Sequence, residues 1–211
     1  MSWSARICRE AVGYARIGWP VAPGACAIGR PRRWQWLINP DARTPTPACS
    51  CGDRDCPAPA AHPIDQNPQP LTDPDAVRAV WAAPDPPNIM LSCGTGFNVI
   101  EVGGQVAAET EKILAAWRLN PAIALTATPV VQRLLFVAPG PPVPLPAAAR
   151  YLGAGNWVPA PPSSRGPAGE DRWFWPYDTR WRQLPPAGEV AEAVTLADQQ
   201  VRRVHDGAIS I

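Results

Sequence analysis

Lysine is almost missing from this chain of 211 residues. Lys112 is the only one, so nearly all of its positive charge is arginine. A phosphate-binding loop ending in Gly-Lys and a lysine Schiff base each need a lysine in a set place, and neither is expected here. Histidine is scarce too: only His62 and His205 are present, and neither suits a histidine-based nucleophilic triad. Charged residues make up 18% of the chain, with 19 basic against 18 acidic side chains and a formal charge of +1. No global field draws such a protein to nucleic acid or acidic lipid, so any polyanion site has to be a local patch. No run approaches the ~18 apolar residues that cross a bilayer. Arg6, Arg9, Glu10 and Arg16 interrupt the N-terminal stretch where a signal peptide would need a continuous apolar segment. The expectation is a cytoplasmic protein with no membrane partner.

What is abundant is proline, tryptophan and, in one place, cysteine. The 29 prolines and 16 glycines are about a fifth of the chain, short of the ~25–30% that marks low-complexity disorder, so a loop-rich globular protein is expected. Apolar positions at helical spacing predict a helix over 2–17, closed by Gly18. Asp73-Pro74 supplies a capping residue and a first-position proline for a second helix that stops at Pro84. The apolar runs 88–92 and 97–102 flank Gly94-Thr95-Gly96 and read as a β-hairpin. A helix over 105–119, with Val106, Ile113, Leu114 and Trp117 inward, precedes strands at 122–128 and 130–137. Short strands at 156–160 and 172–175 and a last helix near 188–204 complete an α+β reading: two layers, a mainly antiparallel sheet with helices on one face. The expected division is a domain over 1–185, with an insertion at about 26–70, and a C-terminal helix over 186–211.

That insertion is rich in proline and shows neither helical nor strand periodicity. A structureless stretch so long is improbable in a compact domain unless something else orders it. It contains Cys49, Cys51, Cys56 and His62 within fourteen residues, in the pattern C-x-C-G-x₃-C-x₅-H-P. Three sulfurs and an imidazole suit tetrahedral Zn²⁺ in a closed, structural site, and in a reducing compartment such a cluster points to metal rather than disulfides. Cys26 is a weaker candidate ligand, and Cys8 and Cys93 read as small buried hydrophobes.

The order of motifs resembles the N-terminal domain of bifunctional DNA primase/polymerases, the Prim-Pol group of the archaeo-eukaryotic primase superfamily, most of all its short actinobacterial-type variants. The matching elements are Ala11-Val12-Gly13-Tyr14-Ala15 leading to Gly18-Trp19-Pro20-Val21, the cysteine cluster, and the helix with Trp81. Pro87-Asn88-Ile89-Met90-Leu91 with Gly94-Thr95-Gly96, and Trp157-Val158-Pro159-Ala160-Pro161-Pro162-Ser163, extend the match to roughly residues 8–176. The resemblance implies a sheet whose paired acids hold two Mg²⁺ or Mn²⁺ ions that activate a primer hydroxyl and stabilise leaving pyrophosphate. Here the acidic position falls at Glu101-Val102-Gly103, which keeps one carboxylate. The nucleotide-gripping position falls at Ser163, Ser164 and Arg165, where arginine stands in for the family's histidine.

A primase/polymerase-type nucleotidyltransferase with impaired catalysis is therefore expected, needing Mg²⁺ or Mn²⁺ only if active. Its partners would be DNA or another single-stranded nucleic acid, nucleotide triphosphates and a separately supplied helicase. A non-catalytic binder of single strands or nucleotides is the alternative. It would use the local patch Arg30, Arg32, Arg33, Trp34 and Trp36, with Trp173 and Trp175 as stacking rings. A zinc-stabilised protein-interaction module is a third reading.

Overall fold

The computed structural model describes residues 2–28, 48–53, 55–125, 132–164, 173–176 and 183–208. In chain order the elements are α1 (Trp3–Arg16), β1 (Val21–Gly24), β2 (Ala27–Ile28), β3 (Ala48–Cys49), α2 (Pro74–Trp81), β4 (Asn88–Ser92), β5 (Asn98–Gly103), α3 (Gly104–Ala116), β6 (Ala122–Leu125), β7 (Gln132–Val137), β8 (Ala149–Leu152), β9 (Trp157–Pro159) and α4 (Ala187–Ala208). The class is α+β, as the sequence predicts. The chain divides into two compact units: residues 1–91 with 157–173, and residues 92–156 with 174–211.

In the first unit, Ser2 caps α1 by accepting the Ala5 N–H, and the Asp73 carboxylate caps α2 by accepting those of Asp75 and Ala76. These are the end groups a helix cannot satisfy internally. The two helices bury Ile7, Ala11, Tyr14, Val77 and Trp81. A three-stranded sheet in the order β1-β4-β9 adds Val21, Ile89, Met90, Leu91 and Val158. Two of the buried aromatics have their polar ends satisfied: Tyr14 donates to the Pro161 carbonyl at 2.6 Å and Trp81 Nε1 to the Pro87 carbonyl at 3.0 Å.

In the second unit, four antiparallel strands lie in the order β6-β7-β5-β8. Alternation sends Ile100 and Val102 of β5 and Leu135 and Val137 of β7 into one core with Val106 and Leu114 of α3 and Val190 and Val194 of α4. The helices thus cover one face of this sheet. Val99 and Glu101 point to the other face.

Three local expectations change. The runs 88–92 and 97–102 are both strands, yet they are not a hairpin. β4 lies between β1 and β9, while β5 lies between β7 and β8. Both are central strands, mostly buried, and each therefore takes two neighbours distant in sequence rather than the other. Gly94 makes the turn between them with φ +111°, and a Cβ there would stand 2.8 Å from Ala154. Trp117, expected inward, is 40% exposed because α3 ends at Ala116 and the chain turns before the ring can reach the core. Of the segment expected as a strand at 172–175, Phe174 makes only an isolated bridge to Leu125.

Candidate functional site

The cysteine-rich stretch leaves the first unit's sheet as a two-rung ribbon, β2 pairing with β3 so that Ala27 faces Cys49. Gly52, at φ +82°, reverses the chain just past Cys51, and the Gly52 N–H closes the turn on the Cys49 carbonyl at 3.1 Å. A left-handed residue is needed there, and glycine takes that conformation at little cost. On the return, Ala25 N–H binds the His62 carbonyl at 2.9 Å and Ile64 N–H the Pro23 carbonyl at 3.0 Å, which anchors the far end beside β1.

These constraints gather the ligand atoms of Cys49, Cys51, Cys56 and His62 within 4.8 Å of one another, the only such group of metal-capable side chains among the described residues. His62 Nε2 lies 3.2 Å from the Cys49 sulfur and 3.3 Å from that of Cys56. Tetrahedral zinc, with bonds of about 2.3 Å to sulfur and 2.0–2.1 Å to nitrogen, requires an S···N edge of about 3.6 Å, a few tenths of an ångström beyond these distances, so the set could hold that ion. The other imidazole nitrogen donates to the Pro63 carbonyl at 2.6 Å, which leaves the Nε2 lone pair for a metal. Burial pushes the Cys49 thiol up, but N–H groups of Ala60 and Cys51, aided by the Cys51 thiol and His62, overcome it and bring the thiol down to about 6. Burial and the neighbouring Cys49 and Cys51 push Cys56 up to about 11, against the Ala58 N–H. Cys26 is not in the group: burial raises its thiol, and the Asn88 N–H lies against it.

One buried asparagine ties this knuckle to the sheet. Asn88 Nδ2 faces the carbonyls of Ala25 (2.8 Å), Ala60 (3.3 Å) and Ser164 (2.8 Å), and its Oδ1 accepts the Ser164 N–H at 3.1 Å. Ser163 is fully buried. Its hydroxyl accepts the Ile89 N–H at 2.7 Å and donates to the Ile89 carbonyl at 3.2 Å. Sequence reasoning missed Asn88, although its place between two prolines and an apolar run marks a polar side chain in an otherwise buried strand.

Glu101 sits on the sheet face opposite α3 and α4, directly across from Arg150 on β8 and Leu134 on β7. Arg150 Nε donates to Glu101 Oε2. A cavity of about 420 Å³ opens beside the pair, lined also by Gly103, Gln132 and Ala149. Glu109 and Glu111, the other acids near in sequence, do not join it. Glu109 pairs with Lys112, and Glu111 with Arg133, whose strand position shares the helix-covered face with Val102. Asp171 lies outside the described residues.

A family model of the bifunctional DNA primase/polymerase N-terminal domain matches residues 11–189, a span that contains the cysteine knuckle, the Asn88 strand and the Ser163 corner. This chain belongs to that family. No curated protein and no solved structure matches it significantly. Membership carries nucleic-acid and nucleotide handling in a general sense, and among the described residues no helix is long and apolar enough to cross a membrane.

The remaining family-type positions are unevenly placed. Ser164 stands beside Asn88, while Arg165 lies outside the described residues, as do Arg30, Arg32, Arg33, Trp34 and Trp36. Trp173 is 3% exposed, so its ring presents no open stacking face. Trp175 packs against Phe136 with centroids 5.2 Å apart. The exposed ring of that segment is Phe174.

Proposed function

We propose that this primase/polymerase-type domain binds single-stranded nucleic acid and nucleotide triphosphates while its nucleotidyl transfer is impaired. The carrying observation is the sheet position of Glu101: the residue two further along the same face is Gly103, so one carboxylate stands where the family's two-metal chemistry needs a pair. Mg²⁺ or Mn²⁺ bound by paired acids would activate the primer hydroxyl. The residues here do not fit that ion pair, and no step is assigned to it. Binding falls instead to arginine, with Arg30, Arg32, Arg33 and Arg165 as phosphate contacts and Trp34 and Trp36 as stacking rings. Zinc holds the knuckle in a reducing cytoplasm, and any role in replication calls on a helicase for strand separation.

The test has two arms. Protein incubated with primed template, labelled nucleotide and Mn²⁺ is expected to give no more than trace extension. A fluorescent single strand is expected to bind and to weaken with added salt, log K falling against log salt with a slope of about −0.7 per phosphate contact. Rapid multi-residue extension overturns the impairment. Absence of salt-sensitive binding overturns the nucleic-acid role and leaves the protein-interaction module.

A further inference from the structure

We infer that Arg150 is the permanent counterion of Glu101 and closes this position to a divalent metal. The inference rests on the reading above only in taking Glu101 as the acidic position of the family. Glu101 and Arg150 are direct cross-strand partners, an arrangement that brings Cβ atoms to about 4.5–5.5 Å and side chains onto one face. Glu101 keeps 14% of its side chain exposed and Arg150 71%, so a mostly buried carboxylate is met by a guanidinium that reaches it from the solvent side through Nε. The other positions around Glu101 on its face are Val99, Gly103, Leu134 and, diagonally, Gln132, which offers a neutral amide oxygen but no second carboxylate.

A divalent ion at Glu101 would therefore find one carboxylate, already engaged, and a fixed positive charge beside it. Mg²⁺ and Mn²⁺ prefer hard oxygen donors and hold protein sites through one or two free carboxylates, and like charges at this separation repel strongly in a partly desolvated setting. The cavity of about 420 Å³ has room for a hydrated ion, so exclusion is electrostatic rather than steric. A nucleotide handled at this face would meet a protein cation in place of a metal.

Mn²⁺ titration followed by electron paramagnetic resonance, on the full chain with its knuckle preloaded with zinc, tests this. Wild type and Glu101→Gln are expected to give the same curve. Arg150→Asp sets two carboxylates face to face and is expected to gain one Mn²⁺ site, about tenfold or more tighter than any in the wild type. Adding Glu101→Gln to that variant is expected to remove the gain. A wild-type Mn²⁺ site abolished by Glu101→Gln overturns the inference, as does a folded Arg150→Asp protein that gains none. If Arg150→Asp does not fold, the wild-type comparison with Glu101→Gln still decides. The measurement contains no DNA or nucleotide, so its outcome is separate from that of the strand-binding experiment.

Discussion

Stripping the metal from the knuckle should unfold it locally and lower the stability of the protein as a whole. Without an ion, three sulfurs and an imidazole stand within 4.8 Å with nothing between them, and the ribbon beneath has only two rungs. Once the turn loosens, three anchoring bonds go with it: Ala25 to His62, Ile64 to Pro23 and Asn88 to Ala60. At about 1 kcal/mol net for each, the loss is about 3 kcal/mol. A chain of this length shifts its melting temperature by about 2–4 °C per kcal/mol, so apo protein should melt about 6–12 °C below the zinc-loaded form. Elemental analysis of untagged protein should first return one zinc per chain, and His62→Ala should reproduce the apo melting point even with zinc present. Hydrogen exchange gives the local reading, with amides of 49–64 losing protection while those of β5 and β7 keep theirs. Protein that carries no zinc, or that loses it with neither a melting shift nor faster exchange at 49–64, refutes the reasoning.

Two further outcomes follow from buried groups. Ser163→Ala leaves the Ile89 N–H without its partner in the interior, while the Ile89 carbonyl keeps the Ala160 N–H, and should cost about 1–3 kcal/mol in urea unfolding, with single-strand affinity unchanged after correction for the folded fraction; a selective loss of nucleotide binding at full stability would instead make Ser163 a ligand contact. Burial pushes the Cys93 thiol up to about 12 from 9.0, so the folded state keeps its proton where the unfolded chain loses it. That stability is fully present below pH 9 and is lost as pH rises towards 12, by about 1.4 kcal/mol between pH 8 and 10. Cys93→Ala should remove this part of the slope in chemical denaturation at the two pH values, and an unchanged slope would contradict it.

The gathering of Cys49, Cys51, Cys56 and His62 is legible in the sequence because their spacing is local: a tight turn and a short return bring them together whatever the rest of the chain does. Helix ends are legible for the same reason, since Ser2, Asp73 and Pro74 act on their own first turns. Partners chosen across the fold are not. The turn Gly94-Thr95-Gly96 looks like a hairpin, but β4 and β5 are each wanted by two remote strands, and burial on both faces outweighs proximity. Ser163 reads as part of the nucleotide-gripping segment because its partner, Ile89, is 74 positions away. Arg150 carries no mark in its own neighbourhood that it will face Glu101, 49 positions earlier. The resemblance identifies the acidic position, and only the strand register reveals its companion.

The interleaving of the two units orders events during synthesis. The first is built from residues 1–91 and 157–173, the second from 92–156 and 174–211, so the chain passes between them three times. A ribosome that has released the knuckle and β4 has not yet made β9, the strand that completes their sheet. The nascent first unit must wait through some sixty-five residues of the second with one flank of β4 open. Neither unit can be cut out as one continuous piece, and a truncation from the C-terminal side that passes residue 173 removes parts of both.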